Sequence, residues 1–184
     1  LDHALTSQTL NKKVSGFEFG RGNSDVAEIN EGIYTNNLRA SDHDGLVLYL
    51  DITPPQFVIN DSDNLWPVNH KYQTFTTEDM IASITEAGND FPIENAYILK
   101  VTSDEPDDAK GSGDGNTSED IVIVDCQTVD LRAERAGGSN GRVYTVYLAA
   151  QDQYGNLGVS EYKVGVAHNK KATAIDDGIA YEVI

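Results

Sequence analysis

Hydrophobic and polar positions alternate with a period of two along much of residues 52–168. Tyr97, Leu99 and Val101 fall on one side of such a run, and Tyr144, Val146, Leu148 and Ala150 on one side of another. That period sends successive side chains to opposite faces of an extended strand. The segments 56–60, 72–85, 97–102, 121–124, 129–133, 142–150 and 160–167 are rich in β-branched residues and tyrosine, and Gly, Asn and Asp clusters separate them. Residues 78–86 suit a short helix, but their place between β segments favours a strand. Asp152-Gln153-Tyr154-Gly155-Asn156 has the composition of a hairpin turn joining the last two segments. About seven short strands in ~120 residues predict an immunoglobulin-like two-sheet sandwich. A jelly roll, which wants an eighth strand, is the alternative.

The first fifty residues are less regular. The pattern predicts a strand over 1–7, a short helix or turn over 8–14, a long Gly, Asn and Asp-rich loop over 16–37, and a strongly apolar strand over 46–52. Two strands and a loop bury too little surface to fold alone, so this part reads as the end of a truncated domain. Asp51-Ile52-Thr53-Pro54-Pro55 then forbids a helix and suits a stiff linker. The organisation expected is a domain remnant over 1–51, a sandwich over 52–168 and a tail over 169–184 that adds a strand or stays disordered.

Charge sharpens the division. The 184 residues carry 13 Lys and Arg against 30 Asp and Glu, a net of −17. Residues 1–50 account for −3 and the remainder for −14. Such a surface disfavours nonspecific attachment to nucleic acid or anionic lipid, so a polyanionic substrate would need a local cationic or metal-bearing site. One cysteine, Cys126, excludes an intrachain disulfide framework and any multi-cysteine zinc site, and reads as a small buried hydrophobe. The longest apolar run, residues 46–50, is far short of the ~20 residues a membrane helix needs. The chain begins at Leu1 without a signal peptide, as expected of an internal piece of something longer.

Ser41-Asp42-His43-Asp44 stands directly before the apolar strand. An Asp-His pair at a strand entrance can hold a metal and present an imidazole to a phosphate, the two requirements of phosphodiester hydrolysis. Asp2, within the first strand, can accept a hydrogen bond from His43 and fix its tautomer. In the plainer alternative, Asp42 and Asp44 cap a turn and the histidines are surface residues.

Leu1-Asp2-His3-Ala4-Leu5-Thr6-Ser7, followed by Arg39-Ala40-Ser41-Asp42-His43-Asp44-Gly45-Leu46-Val47-Leu48, resembles the C-terminal end of the endonuclease/exonuclease/phosphatase family. More narrowly, it resembles large secreted bacterial extracellular nucleases. The resemblance implies that Asp42 is metal-linked, that His43 is the essential histidine and that Asp2 orients it. It further implies Mg or Mn as cofactor, DNA as the parent enzyme's substrate, and a secreted or cell-surface location. The family's remaining metal-binding and catalytic motifs lie upstream of this segment, and none occurs here. This chain is therefore expected to be inactive alone, as a remnant of a four-layer α/β domain whose open strands pair with each other and then dock on the sandwich or on a second chain.

Residues 102–120 hold seven carboxylates and one lysine in a glycine-rich stretch. Calcium takes six to eight oxygens from such groups, and Asp104, Asp107, Asp114, Asn116 and Asp120 are the candidate donors. A solvated acidic loop is the alternative. Trp66, beside Pro67, Asn69 and His70, reads as a core plug, with stacking on a sugar the alternative. Leu131-Arg132-Ala133-Glu134-Arg135, with Gly141-Arg142, reads as a half-buried strand carrying ion pairs on its outer face. Residues 53–168 are similar to immunoglobulin-like modules of bacterial surface and secreted proteins. Two functions remain open: the end of a secreted metal-dependent nuclease, or a spacer or binding module for calcium, a glycan or a surface partner.

Overall fold

The computed structural model describes residues 4–20, 45–108 and 117–184. The chain divides into two compact units, Leu1–Thr53 with Gln153–Asn156, and Pro54–Asp152 with Leu157–Ile184.

The first unit contains a one-turn helix, α1 (Gln8–Asn11), started by Ser7, whose hydroxyl accepts the Leu10 N–H at 3.2 Å. Strands β1 (Val14–Gly20) and β2 (Gly45–Leu50) follow and pair antiparallel. Phe17 opposes Leu48 and Phe19 opposes Leu46, which gives this ribbon one apolar face. That face borders an open groove of about 540 Å³, and Phe17 remains 63% exposed. The partner of the apolar strand is thus β1, within the stretch expected to be a loop, and residues 4–7 form no strand. Val14, Phe17 and Phe19 supply apolar cross-strand partners, a signal hidden among the glycines that mark the segment as irregular.

The second unit is mainly β, with antiparallel sheets gathered around one core as in a β-sandwich. Its elements run β3 (Gln56–Ile59), β4 (Asp63–Asn64), β5 (Tyr72–Thr76), α2 (Thr77–Met80), β6 (Ile81–Glu86), β7 (Asn89–Phe91), β8 (Ala96–Ser103), β9 (Ile121–Asp125), β10 (Thr128–Arg132), β11 (Arg142–Gln151), β12 (Leu157–Val166) and β13 (Tyr181–Val183). One sheet has the order β13-β8-β11-β12-β4, and two three-stranded sheets have the orders β5-β10-β9 and β3-β6-β7. Pairing is antiparallel except between β12 and β4. Tyr144, Val146, Leu148 and Ala150 are fully buried, as their alternation requires. They meet Tyr162 and Val164 of β12, Phe75 of β5 and Leu131 of β10 in the core.

Four details depart from the sequence reading. Residues 72–85 are two strands separated by α2, because Thr76 and Asp79 form a capping box: Thr76 N–H donates to Asp79 Oδ2 at 2.8 Å, and Asp79 N–H to Thr76 Oγ1 at 3.3 Å. In β8, a bulge opposite Tyr147 and Leu148 shifts the phase, so Ile98 and Val101 turn inward and Leu99 is 41% exposed. Trp66 is 45% exposed, while its neighbour Leu65 is buried and donates its N–H to Gly165 O at 2.8 Å. Cys126 is exposed at the β9–β10 turn, where the chain reverses and little can cover it. The tail adds β13 to the edge of β8. Among the described residues, no helix is long and apolar enough to cross a membrane.

Gly158 shows how tightly β12 is approached: a Cβ there would lie 2.0 Å from Pro55 O. Gly158→Ala is expected to destabilise the protein by about 1–3 kcal/mol, since the backbone must move to admit one methyl group. Urea unfolding of the 184-residue protein measures it, as a lower midpoint at unchanged slope.

Candidate functional site

The sequence-predicted residues fall into two groups. Asp2, Asp42, His43, Asp114 and Asn116 lie outside the described residues. Asp104, Asp107 and Asp120 lie on the two limbs of the β8–β9 connection, and each accepts or pairs with protein donors. Asp104 Oδ1 accepts the Val143 N–H at 2.7 Å and Oδ2 the Asp177 N–H at 3.3 Å. Asp107 accepts the N–H groups of Asp120 at 2.9 Å and Glu119 at 3.1 Å. Asp120, fully buried, bonds through Oδ2 to Arg142 Nη1. Among the described residues, no group of three or more His, Cys, Asp and Glu side chains is arranged to hold a metal ion.

What joins the limbs is Arg142, the first residue of β11 and itself fully buried. Its guanidinium binds Asp120 on one limb. On the other it donates from Nε to Glu105 Oε2 at 3.2 Å and from Nη2 to Pro106 O at 3.0 Å. Nη1 also donates to the Tyr144 hydroxyl at 3.0 Å, and that hydroxyl donates to Arg132 O at 2.9 Å. A planar fork of five N–H groups suits this convergence as an ammonium would not. Burial works against the Arg142 charge, yet Tyr144 and Asp120 together hold its pKa above the usual range.

A second guanidinium closes the outer side. Arg132 Nε lies 3.3 Å from Asp120 Oδ1 and 3.9 Å from Glu134 Oε2. Its Nη2 donates to the Tyr72 hydroxyl at 2.6 Å and to Ser118 O at 3.0 Å, with the guanidinium 4.2 Å from the Tyr72 ring centre. Glu134, fully buried, accepts from the Thr117 hydroxyl at 2.6 Å and lies 3.0 Å from His70 Nδ1. The ion pairs expected on an outer face are therefore inside. Strand alternation shows which side a residue takes, but not whether its counterion waits there.

Three buried carboxylates, Glu105, Asp120 and Glu134, face two guanidinium groups. Burial first, and the hydrogen bond with Glu134 second, push Asp120 up to about 8 against the pull of Arg142. Burial also opposes the Glu134 charge, but its bonds from Asp120, Thr117 and His70 lower its pKa overall.

The arrangement is a clasp that fixes the base of the acidic connection. Arg142 and Glu134 were legible only as charges at strand ends. The one available signal was an arginine opening an apolar ten-residue strand in a chain so rich in carboxylates.

Arg142→Met is expected to cost about 3–5 kcal/mol, because Asp120 and Glu105 stay buried without their counterion. Equilibrium urea unfolding at pH 7 checks it. A second expectation concerns pH. An aspartate whose folded pKa is raised above the ordinary 3.8 stabilises fully below that value, and its contribution is lost as pH climbs towards about 8. The melting temperature should therefore fall between pH 4 and 8, and Asp120→Asn should flatten that part of the profile.

Comparison with known protein families, with curated proteins and with solved structures finds no match to this chain.

Proposed function

We propose that this chain is the C-terminal part of a secreted, metal-dependent phosphodiester hydrolase, in which residues 54–184 form a non-catalytic, immunoglobulin-like accessory module. The observation that carries the accessory role is the Arg142 clasp. Ionisable groups buried in the second unit neutralise one another and tie strands together, which is work for a rigid support. The hydrolase half of the proposal rests on the two motifs around Asp2 and His43 and on the apolar strand β2 that follows the second. Asp42 would hold a magnesium or manganese ion, which supplies charge neutralisation at the attacked phosphate. His43 would face the phosphate, and Asp2 would fix its tautomer. The ribbon β1–β2 would be the last pair of a larger sheet.

The test has two arms. The 184-residue chain should show no hydrolysis of DNA with magnesium or manganese, whereas the longer parent should hydrolyse it. In the parent, His43→Ala should lower kcat by about a thousandfold or more with the melting temperature unchanged. Near-normal turnover in that variant would remove the hydrolase reading, and cleavage by the short chain would remove the accessory one.

A further inference from the structure

After β12 ends at Val166, the chain must pass β11 and β8 to rejoin the sheet as β13. Residues 174–179 cross the face turned away from the core as a strap. Lys163 Nζ holds Asp176 Oδ2 at 2.7 Å, and Asp177 N–H reaches Asp104 Oδ2. Beneath this strap lies a cleft of about 210 Å³.

Its floor is a cross-strand row in which Thr102 of β8 opposes Thr145 of β11, which opposes Lys163 of β12. Thr102 is 3% exposed and Thr145 6%, and both line the cleft. Neither hydroxyl has a hydrogen-bond partner among the described residues. Neither is among the polar atoms sealed from solvent without a partner, so both hydroxyls open into the cleft and are available to whatever fills it. Asp104, Glu161 and Asp176 form the walls, and the one ammonium, Lys163, is already engaged by Asp176.

We propose that this cleft binds the ammonium or guanidinium head of a small organic cation. Three carboxylates against one ammonium leave a net of −2, which repels anions and attracts cations, and the chain's −17 adds to it. Carboxylates only accept, and the threonine hydroxyls are free to accept, so the lining matches a ligand that only donates. A calcium ion would need six to eight converging oxygens, and the described carboxylates make no such cluster. The volume lies below the roughly 300–1,000 Å³ of sites for drug-sized ligands, which suits a head group on a short chain.

The probe is agmatine, which carries both head groups, added to the 184-residue protein at pH 7 and constant ionic strength. Binding is read from chemical-shift changes of the Thr102, Thr145 and Glu161 amides and from the melting temperature. Saturable shifts confined to this face, with a rise in midpoint, are expected. Thr145→Val removes one hydroxyl at constant shape, and Glu161→Gln one charge at an exposed position; each should weaken binding by about tenfold. An arginine-containing peptide that binds more tightly than agmatine would assign the head group to a protein side chain, and a weaker one to a free amine. The proposal is overturned if agmatine acts no differently from sodium chloride, if calcium alone shifts these amides, or if both variants bind like the parent protein.

Discussion

A guanidinium buried without solvent is tolerated only if negative groups surround it, and in the second unit that requirement organises one whole end of the core. Arg142 enters from the head of β11 and takes Asp120 and Glu105 from opposite limbs of one connection, with Pro106 O and the Tyr144 hydroxyl filling its remaining directions. Each partner is then fixed in turn: Asp120 by Asp107 through the backbone, Glu105 by the Ala136 N–H at 2.7 Å, and Tyr144 by Arg132 O. Strands from two sheets are thereby tied through polar bonds as well as through the apolar core. A buried network of this kind specifies one arrangement more than it stabilises one, because each group removed leaves another unsatisfied.

The same network explains why the acidic stretch reads so differently in sequence and in three dimensions. Counted along the chain, its seven carboxylates repel and call for a cation. Two of them, Glu105 and Asp120, have an arginine from elsewhere in the fold, while Asp104 and Asp107 have backbone N–H groups. Local composition cannot report a counterion that arrives from more than twenty residues away. It did report the need for positive charge; only the identity of the supplier was hidden.

The strands were legible where one physical rule acted alone. Residues 142–150 form one strand whose alternate side chains Tyr144, Val146, Leu148 and Ala150 join the core, and the segments that became β3, β9 and β10 lie where their β-branched residues put them. Failures came where a second rule intervened. A capping box turned the middle of 72–85 into helix, a bulge inverted Leu99, and glycines concealed β1. Trp66 illustrates a different limit: its size favours burial, but Leu65 took the inward position of that loop. For the candidate site, the aspartates were visible and their roles were not, since those roles depend on Arg142, Arg132 and Glu134, which only the fold assembles.

Tying both limbs of the β8–β9 connection at its base also bears on how such a sequence changes over evolutionary time. Loop-closure entropy grows only slowly with length, by about 0.6 kcal/mol for each doubling, once the ends are held. Here the ends are held by Arg142, Asp107 and Tyr72, which meet residues 105–106 and 119–120. A change in the number of residues between two limbs held in this way therefore adds little closure entropy. Selection then bears first on the charges at the base of the connection, so descendants of this sequence should be most uniform at Arg142 and its carboxylate partners.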